Sequence, residues 1–525
     1  MTDPILIVGA GPTGLTLAIE LARRAVPFYL IDQRLEPRHS DRAAFVKSRS
    51  LEIFANYGLA DSFLCSGQVI NGFDIFSNGI RTAWFRLHEL DSPFPFFLGI
   101  SESRTEEILT EKLERLGGRI ERGVSFDGLA EESGALRVHL RLGADAQERK
   151  VSWLVAADGS HSAVREAVGI DFTGHDYPLN WGVIDGRVSN WHQPEDIVAS
   201  HFDPVIYAAP IGEGRRRIYF RADQTGDSSH AYIERQLASI KTGVRLIEAE
   251  KAQLFHAHCR IAARFRVGRV LLAGDAAHAI SPTQAHGMNT GIQDAFNIGW
   301  KLALVVQGLA REELLDSYES ERRPVAELVG TSGDVVEALI DKGDPDATDA
   351  IRAALATDSS RRQVATDEAE IAYRYCESPI VVDLSPLPGS PPVTKVGCRV
   401  GDAGPLVGQG GELRVHQMLT HGGYTLFLLV KDADSAVLKD AIVHAGRVAE
   451  RYGALVKAYV VATEIDGVDD EIDPPLLLDK DGVLHARLCG DTPCLCLVRP
   501  DGHLGLRVTP PSMSALEGHL SQILL

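Results

Sequence analysis

Three hydrophobic rhythms divide the chain. An unbroken apolar run at Ile5–Val8, a 3.6-residue period over Gly14–Arg23 and a second apolar run at Phe28–Ile31 predict strand, helix and strand, a βαβ opening. The helical period returns at Glu106–Leu116, and VSWLVAAD at Val151–Asp158 reads as another buried strand. From Gly169 to Arg221 the period shortens to two residues, ending in RRRIYFRA, which predicts a strand-rich middle section with its own sheet. Arg269–Gly274 is again strand-like, and the helices expected over Gly291–Val306 and Arg311–Val325 are long and amphipathic. Charged and small residues dominate Lys342–Asp358, and the prolines of Ser385–Pro392 predict a linker. The tail then offers a strand at Tyr424–Val430, a helix at Ala433–Tyr452, a strand at Leu455–Val461 and a hairpin over Leu495–Arg507 turning at Asp501-Gly502. The pattern contains no internal repeat.

Length turns this pattern into a domain count: 525 residues exceed one ordinary core, so two or three domains are expected. With 45% hydrophobic and 24% charged residues the composition is that of a globular protein, and no apolar run approaches the length needed to span a bilayer. The first residues, MTDPILIVGAGPTG, enter a strand without a basic region or cleavage site, so a cytoplasmic protein is expected, with no membrane partner. A net charge of −19 argues against a nucleic-acid partner. The local basic clusters Arg34–Arg49 and Arg215–Arg217 are either anion sites or solvated surface. The seven cysteines contain no C-x-x-C pair and read as reduced, packed thiols; Cys494 and Cys496 would share one face of a strand.

Chemistry enters with the glycines. Gly9-Ala-Gly11-Pro-Thr-Gly14 follows a strand and opens a helix, and Asp32 ends the next strand, where a carboxylate can hold ribose hydroxyls. That fingerprint suits a dinucleotide without separating NAD from FAD. Two further strand-end motifs narrow it: Asp158-Gly-Ser-His-Ser-Ala-Val-Arg165, and Gly274-Asp275 with Pro282 and Gly287-Met-Asn289 completing its loop. A helix starting near Gly287 would turn unpaired N–H groups and a partial positive charge toward a ligand.

This set resembles the p-hydroxybenzoate hydroxylase-type (class A) FAD-dependent aromatic monooxygenases over roughly residues 4–330, and Tyr373–Pro379, Pro388-Gly-Ser and Leu497–Gly502 resemble their three-domain phenol and pentachlorophenol hydroxylase branch. The resemblance implies an α/β and α+β multidomain fold: a discontinuous Rossmann-like FAD-binding domain (1–175 and 265–375), an interleaved β-sheet substrate domain (176–264 plus part of 68–100) and a thioredoxin-like C-terminal domain (385–525) without redox cysteines. It implies NAD(P)H- and O₂-dependent hydroxylation of a phenolic, conceivably carboxylated, aromatic substrate through a flavin C4a-hydroperoxide, with FAD as cofactor, NADPH or NADH as reductant, O₂ as co-substrate and no metal. A homodimer is compatible with it. Gly9, Gly11, Pro12, Thr13, Gly14, Asp32, Gln33 and Arg34 would hold the ADP half, and Arg42 would reach the phosphate region. Glu102, Val124, Gly274 and Asp275 would follow the ribityl chain, Asp158, Gly159 and Arg165 form the motif linked to both FAD and NAD(P)H, and Pro282, Gly287, Met288 and Asn289 would line the isoalloxazine ring.

Departures from the family pattern mark where this chain's own chemistry lies. Relatives tend to read P-x-G-G-x-G-M-N where this chain has Pro282-Thr-Gln284-Ala-His286-Gly-Met-Asn289; His286 either relays a proton, caps the helix or faces solvent. Glu102 occupies a position that is often glutamine. Phenol hydroxylases place an aspartate ahead of the motif seen here as Arg49-Ser-Leu-Glu52, whereas this chain has Ala43–Lys47 and no acid. Lys47 and Arg49 therefore either favour an anionic substrate or are structural cations. Tyr207 and Arg217 sit on the expected substrate sheet, as pocket or packing residues. The same fold also carries Baeyer–Villiger, epoxidising and decarboxylative or denitrating oxygenation, and a reading from another class is an FAD-containing binding protein without turnover.

Overall fold

The computed structural model describes residues 3–37, 43–132, 134–202, 204–222, 226–240, 243–342, 345–385, 392–408, 410–430, 435–464, 475–490 and 492–525. Its first sheet has six strands: Ile5–Val8 lies between Phe28–Asp32 and Trp153–Ala156, both parallel to it, and Val270–Leu272 is parallel beyond Trp153–Ala156. Ile5–Val8, Trp153–Ala156 and Val270–Leu272 are apolar runs buried on both faces, as a helix-covered parallel sheet requires, while Phe28–Asp32 is half-buried at its start. The topology brings together segments far apart in sequence. The loops after Val8, Asp32, Ala156 and Leu272 all leave the same, carboxyl-terminal edge, the edge where open α/β sheets bind ligands.

The helix Pro12–Arg23 starts two residues earlier than its hydrophobic period, because proline suits a first helical turn and Gly11 serves as N-cap. The helix expected from Glu106 begins at Glu102, since the Ser101 hydroxyl accepts from Arg104 N at 3.2 Å and caps it. The helix Gly287–Val306 packs across Pro12–Arg23 and is buried along nearly its whole length. The helix expected over Arg311–Val325 is instead a short 3₁₀ turn, Glu312–Leu315, followed by Asp316–Lys342, which runs through Pro324. Buried ion pairs of Glu321 and Arg322 anchor it just ahead of that proline.

The middle section forms a second, mainly antiparallel sheet. Its strands Arg245–Ala249, Trp181–Ser189, Arg215–Arg221, Val205–Gly212 and Ile197–Phe202 are extended at one edge by the hairpin Gly72–Ser77 and Ile80–Arg86. A ribbon of Phe172–Asp176 and His258–Ala262 connects the two sheets, and a small sheet of Phe45–Val46, Phe97–Gly99 and Gln68–Ile70 lies nearby. An apolar cluster containing Phe45, Phe97, Trp181 and Tyr219 fills the space between them.

The C-terminal sheet takes in Val382–Leu384, which pairs with Leu504–Val508, so it reaches back ahead of Ser385. Residues 386–391 of the expected linker lie outside the described residues. Tyr424–Val430 pairs parallel with Val456–Ala462 across the helix Ser435–Tyr452, and antiparallel with Cys494–Val498, which pairs with Leu504–Val508. This is the thioredoxin-like order. Cys494 and Cys496 share a face with their sulfurs 3.5 Å apart, buried and unbridged. One face of the sheet packs on Trp300 and Leu304 of the helix Gly287–Val306. Among the described residues no helix is long and apolar enough to cross a membrane.

Candidate active site

Four strand ends build one cradle. Gly9 has φ +104°, and a Cβ there would stand 2.2 Å from Ala157 O; a Cβ on Gly14 would stand 1.9 Å from Gly9 O. Only glycine lets the helix start this close to two strands, and Gly11 leaves its first turn without a side-chain cap. Asp32 is buried where its strand ends. It accepts from Ala10 N at 3.0 Å and from Arg34 N at 2.8 Å, and pairs with the Arg34 guanidinium. Burial raises the Asp32 carboxyl, but the Arg34 bonds outweigh it and hold the group below its ordinary value. Gln33 is exposed beside it, Val124 is buried at the start of the next antiparallel segment, and Arg42 lies outside the described residues.

Asp158 follows its strand with one carboxylate oxygen accepting from Val164 N at 3.3 Å, while Oδ1 is buried without a hydrogen-bond partner among the described residues. Burial raises its carboxyl. Gly159 takes φ +88°. Arg165 does not face outward: it donates to Ser160 O and Ala276 O, tying this motif to the Gly274-Asp275 loop. In that loop Asp275 is exposed between buried neighbours. The loop is pinned from behind by Asp294, which accepts from Gly274 N at 3.0 Å and Arg322 Nε at 2.7 Å and lies 2.6 Å from His278 Nε2.

The 282–289 loop carries this chain's unusual residues. Pro282–Gln284 is a 3₁₀ turn ended by Ala285 in the left-handed region. The Asn289 side chain accepts from Lys47 N at 2.9 Å and donates to Phe45 O and Ala285 O, stitching the loop to the strand Phe45–Val46. His286 is the N-cap residue of the helix Gly287–Val306 but makes no capping bond. Its Nδ1 lies 2.9 Å from Lys47 Nζ and 2.7 Å from Glu370 Oε1. Lys47 Nζ is also 3.3 Å from Glu368 Oε2 and 3.7 Å from Glu370 Oε1. Gln284 turns to the same cluster, donating to Glu368 Oε1 at 2.7 Å and accepting from Ser332. Burial would raise the Glu368 carboxyl, yet Lys47, His286 and Gln284 together hold it below its ordinary value. The cluster borders an aromatic wall: Lys47 Nζ stands 5.7 Å from the Phe97 ring centre, and Phe45, Phe73 and Phe97 meet pairwise at 5.8–6.4 Å.

Lys47 and His286 thus come together, whereas Arg49 and Tyr207 do not join them. Arg49 pairs with Glu52 three residues on and donates to Asp501 O of the C-terminal unit at 2.6 Å, the arrangement of a structural cation. Tyr207 packs against Trp181 and Phe202, and burial lifts its phenol above the ordinary value, so it is a hydrogen donor and not a base. Arg215, Arg216 and Arg217 are likewise ion-paired, with Glu250, Glu195 and Asp185. A cleft of about 500 Å³ opens where Ser101, Arg104, Asp185, Ile211 and Arg217 meet. Glu102 stands beside it at the helix start, 3.5 Å from Ala43 N. Sequence reasoning missed Glu368, Glu370, Asp294 and Arg322. It also missed Glu106, which faces Gly11 and whose carboxyl is pushed up to about 7 by burial and then by Glu102.

FAD fits these residues. The glycine cradle admits a pyrophosphate at an uncapped helix start, and Asp32 sits where a ribose hydroxyl would donate. Comparison with known proteins agrees. A family profile described as an FAD binding domain matches residues 2–332. The 6-methylpretetramide 4-monooxygenase of Streptomyces rimosus is 32% identical, over 99% of this chain and 93% of that protein. The pentachlorophenol 4-monooxygenase of Sphingobium chlorophenolicum is 33% identical, over 62% of this chain and 63% of that one. The solved structure of the anhydrotetracycline hydroxylase OxyS, also from Streptomyces rimosus, superposes with a TM-score of 0.76 at 26% identity, over 100% of this chain and 99% of that one.

Proposed function

Because the chain belongs to the family of FAD-dependent aromatic-ring monooxygenases, we propose that its substrate is a neutral polycyclic phenol whose proton is received by the Lys47–His286–Glu368–Glu370 cluster. The general reaction is NAD(P)H- and O₂-dependent hydroxylation of an aromatic ring. Two relatives aligned over nearly the whole chain carry tetracycline-type names, which supports a fused-ring substrate here. The charge count in the cluster is the observation that carries the rest. One ammonium faces two carboxylates, and Arg49 is committed to Glu52, so among the described residues no unneutralised cation remains there to attract a carboxylated substrate. A phenol, by contrast, needs a proton acceptor, and the His286 imidazole lies within hydrogen-bond reach of both Lys47 and Glu370. Its Nδ1 can accept from Lys47 or donate to Glu370 but not both, so the choice of tautomer selects one hydrogen bond or the other.

Bound FAD supplies the electron transfer and oxygen activation. The chain's own residues bind and orient it: the helix start at Gly11 and Asp32 for the ADP half, Asp275 for the ribityl chain, and Pro282 with Gly287–Asn289 for the ring system. The N-terminal end of the helix Gly287–Val306 carries a fixed positive potential that would favour negative charge on a flavin ring held there. The aromatic wall of Phe45, Phe73 and Phe97 excludes water from the substrate. Seven cysteines, all free, suit a reducing compartment such as the cytoplasm.

The test is a screen of the FAD-loaded protein for stimulated NADH and NADPH oxidation across monocyclic phenols, phenolic acids and fused-ring phenols, with ¹⁸O₂ incorporation measured in the product. Fused-ring neutral phenols are expected to accelerate oxidation and to take up label. Turnover confined to monocyclic phenolic acids would overturn the substrate reading.

A further inference from the structure

A second group of chemistry-bearing side chains lies outside the flavin and substrate site. In the ribbon of Phe172–Asp176 and His258–Ala262, His175 is paired directly opposite Cys259. The long helix Asp316–Lys342 lies over this pair with Asp334 against it. His175 Nε2 is 3.1 Å from Asp334 Oδ1, and the donor atoms of His175, Cys259 and Asp334 all lie within 4.8 Å of one another. Gly330, about one turn ahead of Asp334, lets the helix come down on the sulfur, since a Cβ there would stand 3.2 Å from Cys259 Sγ. Cys259 is 8% exposed, whereas the His175 and Asp334 side chains are 51% and 40% exposed. The thiol is therefore the floor, and the imidazole and carboxylate the rim, of a site reached directly from solvent.

We propose that His175, Cys259 and Asp334 bind a divalent zinc-class ion, with water as the fourth ligand. Imidazole nitrogen, thiolate sulfur and carboxylate oxygen are the three ligand types zinc takes, and three protein ligands with one open position is an established coordination pattern for it. Metal–ligand distances of about 2.0–2.3 Å put tetrahedral donors roughly 3.3–3.8 Å apart. Rotation of the two exposed rim side chains covers the difference. Coordination replaces the thiol proton, which leaves to solvent. A supporting partner is already in place, because Tyr177 OH donates to Asp334 Oδ1 at 2.5 Å and orients that carboxylate.

The opposite face of the same ribbon carries a comparable trio, Asp176, His256 and His258. It is the poorer site. Arg260 donates twice to Asp176 Oδ1, at 3.1 and 2.8 Å, so a guanidinium already occupies that carboxylate and would repel a dication. No lysine or arginine pairs with Asp334 among the described residues. An ion at His175, Cys259 and Asp334 would also reach the flavin side, because Glu337, one turn along the same helix, accepts from Ser281 Oγ at 2.6 Å next to Pro282.

The test uses the FAD-loaded full-length protein freed of metal with a chelator and titrated with Zn²⁺ by calorimetry, and with Co²⁺ by absorption difference against the same flavin background. One equivalent is expected to bind, with a sulfur-to-cobalt charge-transfer band. Cys259→Ser, Asp334→Asn and His175→Ala should each weaken binding at least about tenfold, while His256→Ala leaves it unchanged. His175 is exposed, so its variant keeps the test open even where changing the buried cysteine disturbs folding; an unaltered flavin spectrum verifies each variant. Absence of a saturable single site, a cobalt complex without the sulfur band, or binding lost only in His256→Ala would overturn the proposal.

Discussion

Lys47 is 1% exposed, and an ammonium buried this deeply costs several kcal/mol unless it is paired. Glu368, Glu370 and His286 offset that cost, so the four groups stand or fall together. Replacing Lys47 by Met leaves two carboxylates facing one imidazole, and a loss of about 3–5 kcal/mol is expected in urea unfolding. His286→Gln preserves bulk and hydrogen bonding but cannot titrate. Its kcat on the cognate phenol is expected to fall about 100-fold with KM little changed; an unaltered kcat would remove His286 from proton transfer. Glu106 makes a separate prediction. Its carboxyl titrates near 7 in the folded chain because burial and then Glu102 penalise the charged form, against an ordinary 4.5. The folded state thus holds the extra proton, and stability declines as pH rises through the window from about 4.5 to 7, by about 3 kcal/mol in all. Glu106→Gln should abolish that decline in urea titrations at pH 5 and pH 8.

At the scale of elements, each motif is a strand end, a turn and a helix start, and this is why much of the site was legible in the sequence. Local rules govern Gly9–Gly14, Asp32, Asp158 and Gly274-Asp275, and the alternation of apolar runs places them on one sheet edge. The helix starts at Pro12 and Ser101 were also encoded locally, by a proline and a serine cap that hydrophobic period alone overlooks. The partners of His286 were not legible. Lys47 meets Glu368 across 321 positions of sequence, and no local signal in residues 368–370 announces that the helix Asp358–Glu368 ends against the 282–289 loop. The same holds for Arg322, which meets Asp294 through the packing of two helices. That contact carries the element-scale prediction. Asp294→Asn leaves Arg322 without its charge partner and slackens Gly274 N, so a less stable protein with markedly weaker FAD retention is expected, read by flavin fluorescence after gel filtration.

Across the whole molecule, the C-terminal unit is held by buried charge as well as by apolar contact. Glu321 of the helix Asp316–Lys342 pairs with Arg499 at 2.6 Å and Lys301 at 2.7 Å, and Arg499 also pairs with Asp501. Burial would raise the Glu321 carboxyl, but Arg499 and Lys301 bring it down to about 2. Arg499→Met is expected to leave Glu321 and Asp501 short of one cation, to cost about 3–5 kcal/mol and to split a single unfolding transition into two, visible by calorimetry.

The bond from Arg49 to Asp501 O has one more consequence. Arg49 lies two residues after Lys47, whose amide is fastened to Asn289 of the flavin-side loop, and its guanidinium grips the hairpin turn of the distal unit. Ligand binding and distal order are therefore linked functions, and linkage is reciprocal. A mutation that frays the turn at Asp501-Gly502 is expected to weaken FAD retention through the loop at Asn289, read by flavin fluorescence after gel filtration.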